Sequence, residues 1–293
     1  MSQKFSGAGV ALITPFNEDC SIDFESLANL IEFQIENGTD FLVVLGTTGE
    51  PATLTPEERK QVVDFVIRKN AGRLPIVVGI GGNNTSAVVN EIKNTNFEKI
   101  DGILSVVPYY NKPTQEGIYQ HFMAIAEVSP RPIILYNIPG RTGVNMDVST
   151  TLRLANSSGK FVGIKEASGD LKQIEEIIKN SSNGFSVISG DDAIVAPLIK
   201  LGGCGVISAM ANGFPREMSE LVKLSKSNNL QADLQQQNYR KLIKYLFVEG
   251  NPAGVKAALS IRGLIKNTLR LPLVSVSENT YRSLNEIMEE LRK

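Results

Sequence analysis

Hydrophobic and polar positions along the chain alternate between short apolar runs and longer amphipathic segments. The apolar runs are rich in β-branched residues and predict strands. They cover residues 9–16, 41–46, 74–81, 102–108, 132–139, 161–168, 185–192 and 204–211. The segments between them, such as residues 23–37, 56–70 and 171–180, repeat apolar residues at helical spacing. These consecutive β/α units favour an α/β fold, a closed (β/α)8 TIM barrel, over an open sheet.

Beyond the last predicted strand the chain keeps a helical pattern. One helix is expected near residues 215–227, and residues 230–293 predict a three-helix region. The breaks in that region fall at Gly250-Asn251-Pro252 and in a loop that contains Pro272. We therefore predict a catalytic barrel over residues 1–229 and a helical C-terminal region over residues 230–293.

Composition excludes several classes of function. The 293 residues carry a net charge of −1 and no apolar run of membrane-spanning length, so neither nucleic acid nor a membrane is an expected partner. Cys20 and Cys204 lie far apart with no secretory leader, which predicts reduced thiols in the cytoplasm. The single histidine, His121, has no neighbouring ligands, so we expect a surface or interface residue and no metal site. Acid–base chemistry then relies on tyrosine, threonine, lysine or carboxyl groups.

Polar residues follow the predicted strands at the points where the strands end. Active sites of α/β barrels form at this end, from residues of several strands. The groups are Gly46-Thr47-Thr48-Gly49-Glu50, Tyr109-Tyr110-Asn111-Lys112-Pro113, Tyr136 with Arg141, Lys165-Glu166, Ser189-Gly190-Asp191-Asp192 and Ile207-Ser208. One site is therefore expected to collect threonine, tyrosine, arginine and lysine side chains.

Lys165 is the unusual member of this set, because it lies inside the apolar run Phe161-Val162-Gly163-Ile164-Lys165. A buried lysine tends to lose its proton, and a neutral amine is nucleophilic toward a ketone. An imine-forming lysine is one interpretation. A structural ion pair with Glu166 or Asp191 is the other, and burial alone favours neither.

Tyr136 favours the imine, because a phenol on the preceding strand can exchange a proton with the carbinolamine oxygen. Thr47 and Tyr110 extend this phenol into a chain of hydroxyl groups, although a helix cap and a packed aromatic are the simpler roles for each. Arg141 suits a carboxylate, but a surface arginine is its simpler role. The Gly46-Thr47-Thr48-Gly49 turn offers backbone N–H groups to a small carboxylate.

Four motifs in this order resemble the 4-hydroxy-tetrahydrodipicolinate synthase (dihydrodipicolinate synthase) family of class I pyruvate aldolases, which also include N-acetylneuraminate lyase. The motifs are Gly46-Thr47-Thr48-Gly49-Glu50, Tyr109-Tyr110-Asn111-Lys112-Pro113, Tyr136-Asn137-Ile138-Pro139-Gly140-Arg141-Thr142-Gly143 and Gly163-Ile164-Lys165-Glu166-Ala167-Ser168. The resemblance spans essentially the whole barrel.

The resemblance implies condensation of pyruvate with L-aspartate 4-semialdehyde, the first committed step toward diaminopimelate and lysine. Lys165 would hold pyruvate as an imine without any cofactor. Tyr136, Thr47 and Tyr110 would relay protons, with Tyr110 supplied by a neighbouring subunit of a homotetramer built as a dimer of dimers. Thr48 would hold the pyruvate carboxylate together with Thr47. The remaining binding residues would be Arg141 for the second carboxylate and the backbones of Gly190 and Ile207.

Arg141 and the Thr47-Thr48 pair favour the synthase over a sialic-acid lyase. Two other hypotheses stay open. The first is another pyruvate-dependent aldolase acting on a sugar acid or a hydroxy-oxo acid. The second is a non-catalytic barrel that senses an oxo acid.

Two segments depart from the family pattern. Regulated relatives bind lysine at a dimer interface, at positions that match Pro51, Pro56, Arg59, Asn83, Ala87 and Tyr109. Here Ala87 replaces the acid expected to pair with the ammonium of lysine, so weak or absent inhibition is expected. Residues 251–256 also vary the usual C-terminal sequence, and we expect this change to affect packing more than chemistry.

Overall fold

A closed barrel of parallel strands forms the centre of the computed structural model, which describes residues 2–182 and 184–291. Each strand pairs with the next, and the last pairs with the first. The strands are β1 Gly7–Ala11, β2 Phe41–Val44, β3 Ile76–Gly79, β4 Gly102–Val106, β5 Ile133–Asn137, β6 Phe161–Glu166, β7 Ser186–Ser189 and β8 Gly205–Ser208. The predicted TIM barrel is confirmed.

The observed strands are shorter than the predicted ones, mainly at their C-terminal ends. The first strand shows the largest difference. Its predicted range, residues 9–16, omits the first two residues of the strand and includes a buried loop that follows Ala11. In this loop Ile13 and Phe16 are buried, and the Ile13 N–H donates to the Asn212 side chain at 3.0 Å. Apolar residues that leave the sheet but stay buried look like strand in sequence.

Helices cover the outside of the barrel between successive strands. They are α1 Phe24–Glu36, α2 Pro56–Asn70, α3 Thr85–Asn94, α4 Gln115–Val128, α5 Pro139–Thr142, α6 Val148–Ser157, α7 Leu171–Asn180, α8 Val195–Lys200 and α9 Pro215–Lys226. Side chains cap the first two of these helices at their N-termini. Asp23 caps α1 through the Ser26 N–H, and Thr55 caps α2 in a reciprocal pair with Glu58.

The C-terminal region contains one helix more than predicted. Its helices are α10 Gln231–Asn238, α11 Arg240–Phe247, α12 Ala253–Ile261 and α13 Glu278–Glu290. The segment expected to be one helix is divided at Tyr239 into α10 and α11. Gln236 joins α10 to the barrel, since its side chain accepts from the Ala196 N–H at 3.1 Å and donates to the Asp192 carbonyl at 2.9 Å. The C-terminal helices therefore pack directly on the end of the barrel that follows β7.

His121 is buried within the chain, so the expectation of a surface or interface histidine was wrong. It lies on α4, and its Nδ1 is 2.8 Å from the hydroxyl of Thr85 on α3. Burial lowers the pKa of His121 to about 4. The segment looked amphipathic in sequence, but the histidine falls on its inward face. Within residues 2–182 and 184–291, no helix has both the length and the apolar character to cross a membrane.

Candidate active site

Lys165 points into the barrel because of a bulge in β6. The register between β5 and β6 shifts at Ile133/Ile134, where Ile134 pairs with Gly163 after Ile133 has paired with Phe161. The bulge resets the alternation of side chains, so that Ile164 joins the outer core and Lys165 the inner surface. Gly163 is required there, since a Cβ at this position would lie 2.5 Å from the Ser186 carbonyl oxygen.

Lys165 is only 6% exposed and packs beside an aromatic ring. Its Nζ lies 4.4 Å from the centre of the Tyr136 ring, and the two residues are paired across β5 and β6. Within the described part of the chain, Lys165 forms no ion pair. The alternative of a structural pair with Glu166 or Asp191 is therefore wrong.

Glu166 lies on the opposite face of β6 from Lys165. Its carboxylate accepts from the Ser168 N–H at 2.7 Å and from the side chains of Asn137 and Gln173 at 3.1 and 3.2 Å. Burial raises the pKa of Glu166. Adjacent residues on a strand point to opposite faces, which is why the sequence neighbour of Lys165 is not its partner.

A cavity of about 370 Å³ opens at the C-terminal ends of the strands, with Lys165 in its wall. It contains all the predicted site residues except Tyr110. These residues are Thr47, Thr48, Tyr136, Arg141, Lys165, Gly190 and Ile207. The C-terminal helices supply part of the same wall through Ile243, Lys244, Phe247 and Asn251. The site is thus built by both parts of the chain.

Gly190 leaves space for the lysine side chain. A Cβ at this position would lie 2.7 Å from the Ala167 Cβ and 3.0 Å from the Lys165 Cε. Contacts shorter than 3.0 Å are not tolerated without a shift of the neighbouring atoms. Any larger residue at position 190 would therefore displace the side chain of Ala167 or of Lys165.

Tyr110 is the one predicted residue that a single chain does not bring to the cavity. Its side chain is 89% exposed. The backbone adopts φ = 72°, a conformation that costs energy for a residue with a side chain. The turn after β4 therefore presents the ring outward, away from the chain's own cavity.

The turn after β2 places Thr47 and Thr48 in the cavity wall. Thr47–Gly49 form a turn of 3-10 helix that is preceded by Gly46 and has no side-chain cap, so Thr47 does not act as a helix cap. Thr48 is buried and its hydroxyl accepts from the Asn251 side chain at 2.9 Å. The hydroxyl groups of Thr47 and Thr48 therefore do not cap this turn.

Arg141 lies on the short helix α5 rather than in an irregular loop. Gly143 ends this helix with φ = 72°. The Arg141 guanidinium donates to the Asn251 carbonyl at 3.3 Å and lines the cavity. A positive charge held at the cavity mouth suits an anionic group of a substrate.

A second cavity of about 360 Å³ shares Thr47, Tyr136, Arg141 and Asn251 with the first. Pro51, Arg59 and Tyr109, three of the positions at which the family resemblance implies lysine binding in regulated relatives, line it. Glu91, one helical turn beyond Ala87 on α3, also lines it. Burial raises the pKa of Glu91, and the positive charge of Arg59 opposes this. Sequence comparison at Ala87 alone missed this carboxylate.

Asp192 is a buried carboxyl group beside the site. The sequence placed it in a polar group after a predicted strand but indicated no role for it. Its Oδ2 accepts from the N–H groups of Ala209 and Met210 at 3.2 and 2.9 Å. Complete burial raises the pKa of Asp192 to about 6, while the Lys165 charge acts in the opposite direction. The two groups therefore influence each other without forming an ion pair.

The C-terminal segment, in which we expected an effect on packing more than on chemistry, contacts residues of the cavity wall and of the turn after β2. Asn251 touches both Thr48 and Arg141, and Lys256 forms a buried ion pair with Glu50. The available signal was a charge inside the apolar run Ala253-Gly254-Val255-Lys256-Ala257-Ala258-Leu259. The same kind of signal identified Lys165.

Comparison with known proteins agrees with this geometry. The sequence profile of the dihydrodipicolinate synthetase family matches residues 4–291. The chain belongs to this family. The 4-hydroxy-tetrahydrodipicolinate synthase of Parabacteroides distasonis is 53% identical over 98% of this chain and 97% of its own. The same enzyme of Phocaeicola vulgatus is 51% identical over 99% of this chain and 98% of its own.

A solved structure from the dihydrodipicolinate synthetase family has the same fold over nearly the full length. The dihydrodipicolinate synthase of Aquifex aeolicus is 42% identical, covers 98% of each chain and superposes with a TM-score of 0.95. The resemblance stated from the motifs is confirmed. Among the residues that the structure describes, no group of His, Cys, Asp and Glu side chains has an arrangement that could hold a metal ion.

Proposed function

We propose that this protein is a lyase that condenses pyruvate with L-aspartate 4-semialdehyde to give 4-hydroxy-tetrahydrodipicolinate. The observation that carries the proposal is Lys165, a buried lysine that forms no ion pair with the described residues, beside Tyr136 in the wall of a substrate-sized cavity. A buried lysine that is not used in an ion pair is available as a nucleophile. Membership of the family and the names of its relatives support the same reaction.

In the proposed mechanism the Lys165 amine attacks the keto carbon of pyruvate, and the carbinolamine loses water to give an imine. Loss of a proton from the pyruvate methyl group gives an enamine, whose carbon attacks the aldehyde. The amine of the second substrate then attacks the imine carbon, which closes the ring and releases Lys165. The net reaction releases one water and forms one carbon–carbon bond and one carbon–nitrogen double bond in the ring, with no oxidant, reductant or cofactor.

Tyr136 and Thr47 are the proposed proton carriers, since both line the cavity near Lys165. Thr47 and Thr48 would bind the pyruvate carboxylate, with the backbones of Gly190 and Ile207 on the other side. Arg141 would bind the carboxylate of the semialdehyde. These assignments follow from position in the cavity and from the charge that each group offers.

Tyr110 completes the proposed relay only if a neighbouring subunit supplies it, because its side chain is exposed on its own chain. We therefore propose a homo-oligomer, a tetramer built as a dimer of dimers, in the cytoplasm. Sedimentation of the purified protein measures this. A monomer with full activity would contradict the role of Tyr110.

The deciding experiment is borohydride reduction with pyruvate, followed by mass spectrometry and by a condensation assay with both substrates. We expect a pyruvate adduct on Lys165 and product formation with L-aspartate 4-semialdehyde. Arg141→Ala is expected to keep the adduct but to raise the KM for the aldehyde, since only the second carboxylate loses its partner. No adduct in the wild type would refute the imine, and activity with a sugar acid instead would favour another pyruvate aldolase.

A further inference from the structure

A buried ion pair lies beside the site rather than in it. Lys256 on α12 and Glu50 in the turn after β2 form an ion pair with Nζ and Oε1 2.5 Å apart. Both side chains have no exposed surface. The pair joins the C-terminal region to the barrel, and nothing in the proposed reaction uses it.

Glu50 is held in an unfavourable backbone conformation, with φ = 53° and ψ = 41°. It separates the turn Thr47–Gly49 from the turn Pro51–Thr53. The Glu50 N–H donates to the Thr47 carbonyl at 3.2 Å, and the Thr53 N–H donates to the Glu50 carbonyl at 3.1 Å. A non-glycine residue keeps this conformation only where its surroundings hold it, and here these hydrogen bonds and the ion pair of the carboxylate do so.

Lys256 has two further contacts, and its partner Glu50 has one. Its ammonium donates to the Thr268 carbonyl at 3.0 Å and lies 4.1 Å from the centre of the Phe16 ring. The other oxygen of Glu50 accepts from the Arg270 N–H at 3.3 Å. Burial lowers the pKa of Lys256 to about 8, while the Glu50 carboxylate acts in the opposite direction. The geometry of the pair is therefore specified by several segments.

Stability alone does not account for this pair. Buried ion pairs are often no more stabilising than apolar residues of similar volume. The neighbours of Lys256 on α12, from Ala253 to Leu259, are already buried and mostly apolar. What a charged pair adds to such a helix is a specified partner, because the buried ammonium must lie beside the Glu50 carboxylate.

The turn that this ion pair holds faces the cavity. The Gly46–Glu50 turn carries Thr47 and Thr48, which line the wall. The same C-terminal segment contacts this turn a second time, since the Asn251 side chain donates to the Thr48 hydroxyl at 2.9 Å. One end of the turn is therefore held by Lys256 and its centre by Asn251.

We propose that Glu50 and Lys256 are positioning residues that fix the Gly46–Glu50 turn so that Thr47 and Thr48 face the carboxylate of pyruvate bound at Lys165. This rests on the proposed function, which assigns pyruvate binding to these threonines. The pair touches no substrate and acts through the turn. The competing explanation is that it only anchors the C-terminal helices to the barrel.

Two variants separate the explanations. One removes the cation alone, and the other removes both charges of the pair. Lys256→Met leaves the Glu50 carboxylate buried without a cation, so we expect a lower melting temperature and a KM for pyruvate raised about tenfold or more. The double variant Glu50→Gln/Lys256→Met removes both charges of this pair. We expect its melting temperature to recover, while its KM for pyruvate stays raised and its rate of borohydride trapping stays lowered, because the contact between residues 256 and 50 is still missing.

Leu259→Ala is the matched control. Leu259 is fully buried on α12, one turn beyond Lys256, and its truncation weakens the same helix without touching the turn. We expect a lower melting temperature with the KM for pyruvate unchanged. The KM for the aldehyde is expected to change less than threefold in every variant, since Arg141 is untouched.

A KM for pyruvate within twofold of the wild type in the double variant would overturn the positioning role. So would a KM that rises in Leu259→Ala as much as in Lys256→Met. A wild type that traps no pyruvate would contradict the proposed function, and this inference with it. An active wild type with unaffected variants would overturn the positioning role alone.

Discussion

Lys165 and Lys256 are both buried lysines inside apolar segments, and both lie over an aromatic ring, yet their environments differ in one decisive respect. Lys256 is paired with Glu50 and bonded to a backbone carbonyl, with no exposed surface. Lys165 forms no ion pair within the described residues and opens onto a cavity. A buried amine with all its partners is structural, whereas one without an acid and with space in front of it is available for chemistry.

Replacing each lysine by methionine gives the largest expected effects and separates the two roles. Lys165→Met is expected to lower kcat/KM by roughly 10³-fold or more with little loss of stability, because no ion pair is broken. Lys256→Met is expected to lower the free energy of unfolding by about 3–5 kcal/mol, because it leaves Glu50 buried without a partner. Steady-state kinetics and urea unfolding measure both. The reverse assignment of these two effects would break the comparison.

The ring beside each lysine provides the next test. Tyr136→Phe keeps the aromatic face over Lys165 but removes the hydroxyl, and we expect kcat to fall by about 10²–10⁴-fold with the fold intact. The matched change beside Lys256 is Phe16→Leu, which keeps an apolar side chain and is expected to alter stability rather than kcat. Full activity in Tyr136→Phe would remove this residue from the proton relay.

Two glycines sharpen the contrast at a smaller scale. Gly190→Ala crowds Lys165, since the new Cβ would lie 3.0 Å from its Cε, and we expect activity to fall about tenfold. Gly254→Ala, two residues before Lys256, would place a Cβ 2.2 Å from the Leu246 carbonyl oxygen. We expect it to cost about 1–3 kcal/mol of stability by overpacking. Thermal unfolding and kcat of each variant decide this, and equal losses of activity would contradict it.

Asp192 reports on the charge near Lys165 through the pH dependence of stability. Its pKa rises from 3.8 to about 6 on folding, which corresponds to about 3 kcal/mol at most. The folded state holds the proton longer than the unfolded state, so this contribution falls as the pH rises from about 4 to 6 and stays lost above it. Asp192→Asn is therefore expected to be more stable than the wild type at pH 7 but equal to it near pH 4.

Unfolding in urea at both pH values measures the difference between the wild type and Asp192→Asn. The comparison cancels His121, whose pKa is lowered to about 4 and whose contribution to stability rises with pH. A difference that does not change between pH 4 and 7 would contradict the raised pKa of Asp192.

The smallest expected effect concerns the second cavity, which shares Tyr136 with the site of Lys165 but has its own charges. We expect L-lysine to inhibit with a half-inhibitory concentration above about 1 mM, because Arg59 places a cation in this cavity and Ala87 offers no carboxylate. Ala87→Glu is expected to strengthen inhibition. Half-inhibition of the wild type by sub-millimolar lysine would show that Glu91 replaces the missing acid.

The sequence determined the barrel, because hydrophobic periodicity is set by local geometry and each β/α unit carries its own pattern. It also determined that Lys165 is exceptional, since a charge within an apolar strand is visible in one dimension. Its possible partners, Glu166 and Asp191, were visible as well. Whether Lys165 pairs with either of them was not visible, because the bulge beside Gly163 and the pairing of β5 with β6 decide which face the lysine occupies.

Tertiary structure alone decided the role of Lys256. In sequence it is one charge in an apolar helical segment of the C-terminal region. Its partner Glu50 lies far away in sequence, just after the second strand. Only the closing of the barrel and the docking of the C-terminal helices bring the two charges to 2.5 Å. Periodicity reports which side of an element is buried, but not which distant group it meets there, because that depends on how the elements are assembled.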